Sequence, residues 1–336
     1  MNTAGDDLHD RALAALQGLA IGDALGMPTQ LMSRAAIAEG FGTIDGLRDA
    51  ARDHPIAAGM PAGSITDDTE QALLLARALI DGAGVIDPED FARRLAAWED
   101  DMRARGSLDL LGPSTRAAVA AVLGGAPADE AGRAGSTNGA AMRVTPVGIA
   151  WPSTDLPGLV GAVRAASRVS HDTGIAIAGA SAVAAAVSAG LDGADLDDAI
   201  AGGVEAARLG AALGTWIAGA DVASRIQWAV GLGRDAAGDE GLAHFLDLVG
   251  TSLQTQESVP AAFGLLARAG GRGWDAALAG AAGGGDTDTI AAMAGAIGGA
   301  IGGTGAFPAD AVATVTRVND LDLAPVVDGL LALRTR

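Results

Sequence analysis

Alanine makes up about a quarter of the chain and recurs with Leu, Arg and Glu at helical spacing along almost its whole length. Runs that alternate Val, Ile, Thr or aromatic residues, as half-buried strands do, are nearly missing, and there is no Tyr at all. The 3.6-residue periodicity predicts helices at about 9–24, 67–81, 88–104, 114–123, 158–168, 173–190, 195–209, 221–230, 240–249, 259–268, 274–282, 288–302, 308–317 and 323–333. Asp87 before Pro88 reads as an N-cap followed by proline at the first helical position, and Ser258-Val259-Pro260 and Phe307-Pro308 read as similar starts. Glycine, with 50 residues, falls between these segments or inside Ala/Gly-rich ones, where it lets helices approach closely. No long Ser/Pro/Gly linker and no break in composition interrupts the pattern. The expectation is one compact, multi-helical, all-α domain over residues 1–336.

The missing residue types narrow the chemistry. Without Cys, Tyr or Lys there is no thiol nucleophile, disulfide, Cys-ligated zinc, Schiff-base lysine, P-loop lysine or catalytic tyrosine. Histidine stands only at positions 9, 54, 171 and 244, so catalysis must run mainly through carboxylates, hydroxyls, amides, backbone or a bound metal. A formal charge of −19 repels nucleic acid and anionic membranes alike, and reads mainly as a solvated acidic surface. The opening MNTAGDDLHDRALAALQ is polar and acidic, unlike a secretory signal, which leads to an expected cytoplasmic location. The apolar stretch 174–190 approaches membrane-span length, but it is built of Ala and Gly and reads as a tightly packed buried helix.

Two acidic clusters stand out because each falls at the start of an apolar helix. GSITDDTEQALLLARALI places Thr66, Asp67 and Asp68 there; GGGDTDTIAAMAGAIGGAIGG places Asp286, Asp288 and Thr289 in the equivalent position. Either cluster alone is accounted for by capping, since Ser, Thr and Asp satisfy free N–H groups and favour the positive end of the helix dipole. Yet a cap needs one short polar side chain, and each cluster has two carboxylates with flanking hydroxyls. Crowded like charges cost energy unless something neutralises them, and hard divalent cations prefer such oxygen ligands. If the two helix starts converge, four Asp carboxylates would balance a two-ion site. Capping and metal binding both remain open on the residues alone.

The motifs GDALG at 22–26, TDDTEQALLLARAL at 66–79, STNGAAMRVTPVGI at 136–149, SHDTGIAIAGASAVAAAVSAGL at 170–191 and the block ESVPAAFGLLARAGGRGWDAALAGAAGGGDTDTIAAMAGAIGGAIGG at 257–303 resemble the ADP-ribosylglycohydrolase family. That family includes dinitrogenase-reductase-activating glycohydrolase and eukaryotic ADP-ribosylhydrolases. The resemblance spans nearly the whole chain in order, and the paired TDDT and GGDTDT blocks are its specific part. It implies an all-α domain of that type with a binuclear Mg²⁺ centre, Mn²⁺ being possible, at helix N-termini. It also implies cleavage at the anomeric carbon of an ADP-ribosyl group, on a protein or a small conjugate.

By position, the resemblance implies Thr66, Asp67, Asp68, Asp286, Asp288 and Thr289 as metal ligands, with Asp68 and Asp288 as bridging or base candidates. Asn138, Gly139, His171 and Asp23 are implied on the substrate side, although each also has a structural reading as turn, cap or orienting residue. Arg143 reads as a structural ion-pair partner. One position departs from the family: many members carry Glu a few residues after GD-x-x-G, and here Gln30 stands in that place. Gln30 is kept among the candidate catalytic residues, yet an amide can bind a hydroxyl without giving or taking a proton. The alternatives are therefore hydrolysis of a nucleoside or other small riboside, and a non-catalytic ADP-ribose-binding protein. An Asp-rich prenyl-diphosphate enzyme is weaker, since Thr69, Glu70 and Gln71 after Asp67-Asp68 break the DDxxD spacing. The implied partner is ADP-ribose or an ADP-ribosylated substrate, with no nucleic acid or membrane as main partner, for a monomer or small homo-oligomer.

Overall fold

A computed structural model describes residues 4–108 and 111–334, and the regular structure within them is helical throughout. Among the described residues the only β-type pairings are two isolated bridges, Thr137 with Gln254 and Thr173 with Thr215. Each helix expected from the periodicity is present. Four short ones, Arg34–Phe41, Ala128–Ala131, Gly139–Met142 and Thr145–Ala150, were not expected. They run for eight residues or fewer, too short for a period to register. One continuous buried cluster draws on helices from Ala12 near the start to Leu330 near the end, so these helices share a core.

The expected starts are met unevenly. Asp87 does cap Pro88–Ala104, accepting from the N–H groups of Glu89 at 2.9 Å and Asp90 at 3.2 Å. Pro260, by contrast, lies inside Thr255–Arg268 rather than at its start. A proline there leaves the carbonyl four residues earlier without its helical donor. The Arg225 Nε–H fills that gap, donating to the Gln256 carbonyl at 2.9 Å.

The site is placed by an unusually close pair of helices, Ala4–Gly26 and Thr287–Gly302. A Cβ on Gly18, Gly22 or Gly26 would sit 2.2 Å from Gly295 O, 2.1 Å from Ala291 O and 2.3 Å from Asp288 N respectively. The opposing Gly295 and Gly299 are as tight against Gly18 and Ala14. Backbone therefore rests on backbone along a row spaced by four residues, which only residues without side chains allow. The end of the first helix, with Asp23 and the turn to Gln30, is thereby pressed against the acidic start of the second. Gly174–Leu191 packs against both Leu196–Ala211 and Thr287–Gly302. It is the one described helix long and apolar enough to cross a membrane, and every residue in it is buried inside the protein.

Candidate metal centre

The two acidic helix starts face one another. Thr66 is the N-cap of Asp67–Asp81, and Asp286 stands in the same place ahead of Thr287–Gly302. The Thr289 hydroxyl on the second helix donates to Asp68 Oδ2 on the first at 3.2 Å, and the Thr66 hydroxyl lies 3.3 Å from the same oxygen. Asp68 Oδ1 is buried with no hydrogen-bond partner. Burial, followed by the charges of Asp288, Asp67, Asp23 and Asp286, pushes the Asp68 carboxyl well above the usual range. A carboxylate held dry, bare on one oxygen and surrounded by like charges calls for a cation or a proton.

Around this centre the other carboxylates are held by neutral donors. Asp286 accepts from Asn138 Nδ2 at 2.5 Å, and the same amide reaches the Ser258 hydroxyl at 3.0 Å. Burial pushes Asp286 up to about 6, against the lowering effect of Asn138. Asp67, half-buried, accepts from Gln71 Nε2 at 2.8 Å. Asp67, Asp286, Asp288, Thr289, Asn138 and Gln30 all line one cleft of about 160 Å³. A larger groove of about 860 Å³ beside Trp274 and Phe307 contains none of the clustered residues.

Donor chemistry in this set fits a hard divalent cation: carboxylates and threonine hydroxyls, with one carboxylate oxygen unpaired. Among the described residues no three carboxylate or histidine groups close into a ready-made cage. Mg²⁺ needs none, because it keeps several waters and uses few protein ligands.

Two residues implied on the substrate side turn out to be enclosed. Asp23 is fully buried and accepts from the Thr66 N–H and hydroxyl, and from the Thr69 N–H at 3.1 Å and hydroxyl at 2.5 Å. Both its oxygens are thus taken, and its place is beneath the Asp67–Asp81 helix as an anchor. Burial still pushes it up to about 6. His171 is fully buried with both ring nitrogens engaged, by the Ser170 hydroxyl at 2.8 Å and the Thr137 hydroxyl at 2.9 Å. It meets the cleft through Thr137, which lines it. Gly139 also lines the cleft, and a Cβ there would lie 2.9 Å from His171 Cε1. Arg143, expected in an ion pair, donates instead to two neutral side chains, Gln71 and Ser170.

Gln30 is held in place from several sides. His54 Nε2 donates to its carbonyl at 3.0 Å, because His54 Nδ1 accepts from Ala57 N–H at 2.9 Å. The Thr29 hydroxyl reaches Ala281 O at 2.7 Å, and the Leu31 N–H, in a left-handed backbone conformation, reaches Gly285 O at 2.7 Å. Gln30 is 4% exposed, with its Nε2 buried and without a hydrogen-bond partner. Sequence reasoning missed His54 and Gln71; neither sits in a motif that marks it, and their roles follow from contacts across 24 residues of chain and across one helical turn.

The chain matches the ADP-ribosylglycohydrolase family over residues 4–336, and it belongs to that family. An uncharacterized protein of Escherichia coli K12, YegU, is 36% identical over 314 residues, covering 93% of this chain and 94% of that protein. The ADP-ribosyl-[dinitrogen reductase] glycohydrolase of Rhodospirillum rubrum is 32% identical over 151 residues, which is 44% of this chain and 46% of that one. A solved structure described as an ADP-ribosylglycohydrolase-related protein complex superimposes with a TM-score of 0.71 at 26% identity, covering 97% of this chain and 99% of that chain. The expected family and all-α fold are therefore met.

Proposed function

We propose that this member of the ADP-ribosylglycohydrolase family is a Mg²⁺-dependent hydrolase, cleaving the bond at the anomeric carbon of an ADP-ribosyl group carried by a protein or a small conjugate. Family membership supports the reaction class, and metal dependence belongs to the family. The observation that carries the metal is Asp68, buried, bare at Oδ1 and hydrogen-bonded across to Thr289. The residues that would hold it are Thr66, Asp67, Asp68, Asp286, Asp288 and Thr289. When bound, divalent cations supply Lewis acidity and a template for sugar hydroxyls.

The protein's own part follows from the cleft. Its volume of about 160 Å³ suits the reacting sugar, leaving the rest of an ADP-ribosyl group to extend past the rim. Asp288 faces the cleft and is the candidate to take the proton of an attacking water. The clustered carboxylates would stabilise positive charge developing on the ribose ring, as in other glycoside hydrolyses. Asn138 fixes the rotamer of Asp286, so that carboxylate does not have to reorganise during reaction. Gln30 offers an amide to a hydroxyl or carbonyl, with no proton to transfer.

Release of free ADP-ribose from ADP-ribosylated Arg or Ser peptides with Mg²⁺ tests the reading. Activity in the wild type, lost in Asp67→Ala and Asp288→Ala, is the expected result; full activity in both variants overturns the metal mechanism. A second reading rests on Gln30 lining the cleft where many family members have Glu: a protein that binds ADP-ribose without turning it over. Tight ADP-ribose binding by calorimetry with no turnover of any conjugate would favour it, and turnover of simple ribosides alone would move the substrate to that class.

A further inference from the structure

We infer that Arg143 is a positioning residue whose guanidinium sets the direction of two hydrogen-bond chains that end at two residues lining the cleft, one at Asp67 and the other at Thr137. This inference rests on the proposed metal-dependent reading of the same cleft. Arg143 is 1% exposed, stacks over the Phe91 ring at 5.4 Å, and has no acceptor atom. Its neighbours must therefore turn an oxygen toward it.

On one side, Arg143 Nη1 donates to Gln71 Oε1 at 3.2 Å. That orientation leaves the Gln71 amide N–H groups facing Asp67 Oδ2, at 2.8 Å. Were the amide reversed, its oxygen would face the Asp67 carboxylate and its NH₂ the guanidinium, two repulsive contacts. Arg143 thereby guarantees that Asp67 receives a donor at Oδ2, and so fixes the orientation of that carboxylate at the cleft.

On the other side, Arg143 Nη2 donates to Ser170 Oγ at 2.6 Å. Ser170, accepting there, has its one proton free to donate to His171 Nδ1, 2.8 Å away, and in that direction the His171 ring proton sits on Nε2 and donates to Thr137 Oγ1 at 2.9 Å. Thr137 in turn donates to Ser114 Oγ at 3.0 Å. The chain runs one way from the guanidinium to the cleft wall, and it requires a neutral His171. Burial, then the nearby Arg143 charge, hold the His171 pKa well below its ordinary value. Burial pulls Arg143 down to about 10, which keeps it a cation at neutral pH.

A purely structural arginine would hold the fold without dividing its effects between Asp67 and Thr137, so the test separates the two branches. Nitrogen-15 NMR of the metal-free wild type is expected to show His171 as the neutral Nε2–H tautomer; the Nδ1–H tautomer or an imidazolium overturns the inference without reference to metal or substrate. Titration calorimetry then follows Mg²⁺ alone, and ADP-ribose in the presence of Mg²⁺. Gln71→Leu is expected to weaken Mg²⁺ binding about 10-fold, the usual scale for removing a partner of a metal ligand. Ser170→Ala is expected to leave Mg²⁺ affinity unchanged and to weaken ADP-ribose about 5-fold, the scale of one hydrogen bond. Arg143→Lys, which keeps the charge and loses the fork, is expected to weaken both.

Equal effects of Gln71→Leu and Ser170→Ala on the two ligands, or no effect of either, overturn the positioning role. If the folded wild type itself binds no Mg²⁺, the proposed function fails, and this inference falls with it. Wild-type binding with indifferent variants sinks the inference alone.

Discussion

The Thr289 hydroxyl donates to Asp68 Oδ2 at 3.2 Å, joining two helix starts that lie 221 residues apart in the chain. Asp68 is the least compensated carboxyl in this arrangement, since its other oxygen is buried without a hydrogen-bond partner among four further carboxylates. Replacing it with Asn removes the charge and keeps the shape. Asp68→Asn is expected to hold or raise metal-free stability, by about 1–3 kcal/mol in urea unfolding, because the buried Asp68 must either carry an unpaired charge or take up a proton that the unfolded chain has released, and Asn needs neither. It is also expected to abolish stabilisation by Mg²⁺. A variant that Mg²⁺ stabilises as well as the wild type would remove Asp68 from the site.

The raised carboxyls give the metal-free protein a defined pH response. Asp23 and Asp286, pushed up to about 6, and Asp68, raised further, hold protons in the folded chain that the unfolded chain has already released above 3.8. The native state is then the more protonated one, so these groups withdraw stability as pH rises through that window. A cation at the site replaces the protons. The stability difference between Mg²⁺-loaded and metal-free protein is therefore expected to widen between about pH 5 and pH 8. Thermal unfolding across that range checks it, and a constant difference would contradict it.

Asp23→Ala tests the anchor beneath the first helix start. The substitution strips the N–H and hydroxyl groups of Thr66 and Thr69 of their shared acceptor in a fully buried place. A loss of about 2–4 kcal/mol in urea unfolding is expected, since buried N–H and hydroxyl donors are left without their acceptor. A loss near that of an average surface substitution would show that water replaces the carboxylate.

Both acidic helix starts were legible in the sequence because Asp and Thr ahead of an apolar run have two local explanations, capping and metal binding, that point to the same positions. What the sequence could not show is which oxygens are already spent. Asp23 sits in the less specific GDALG motif, and only the fold reveals that Thr66 and Thr69 saturate it. Helices of three turns or more were readable from period alone, whereas Gly139–Met142 was not. Pro260 misled because the donor that makes it tolerable inside a helix, Arg225, comes from 35 residues earlier. Arg143 was likewise misjudged, since its partners Gln71 and Ser170 carry no charge that an ion-pair reading would seek.

Gly22→Ala tests the backbone contact that brings the two sides together. A methyl group there meets Ala291 O at 2.1 Å, and neither helix backbone can give way cheaply. A loss of about 1–3 kcal/mol is expected, accompanied by weaker Mg²⁺ binding as the helix starts separate. Unchanged stability in urea would mean that the helices are less tightly seated.

Gln30→Glu places a proton-transferring group in the cleft without changing its size. If the site is built for hydrolysis, turnover is expected to rise by about 100-fold, with a new ionisation in the pH–rate profile. An unchanged rate and profile would show that residue 30 lies away from the reacting bond.

The account stands or falls on whether the acidic cluster and a cation act together on an ADP-ribosyl bond. The most direct measurement is free ADP-ribose released from an ADP-ribosylated peptide by chelated protein, before and after Mg²⁺ is restored. The account expects no release until Mg²⁺ is added, and none at all with Asp68→Asn. Release that survives chelation, or that Asp68→Asn leaves intact, would contradict it.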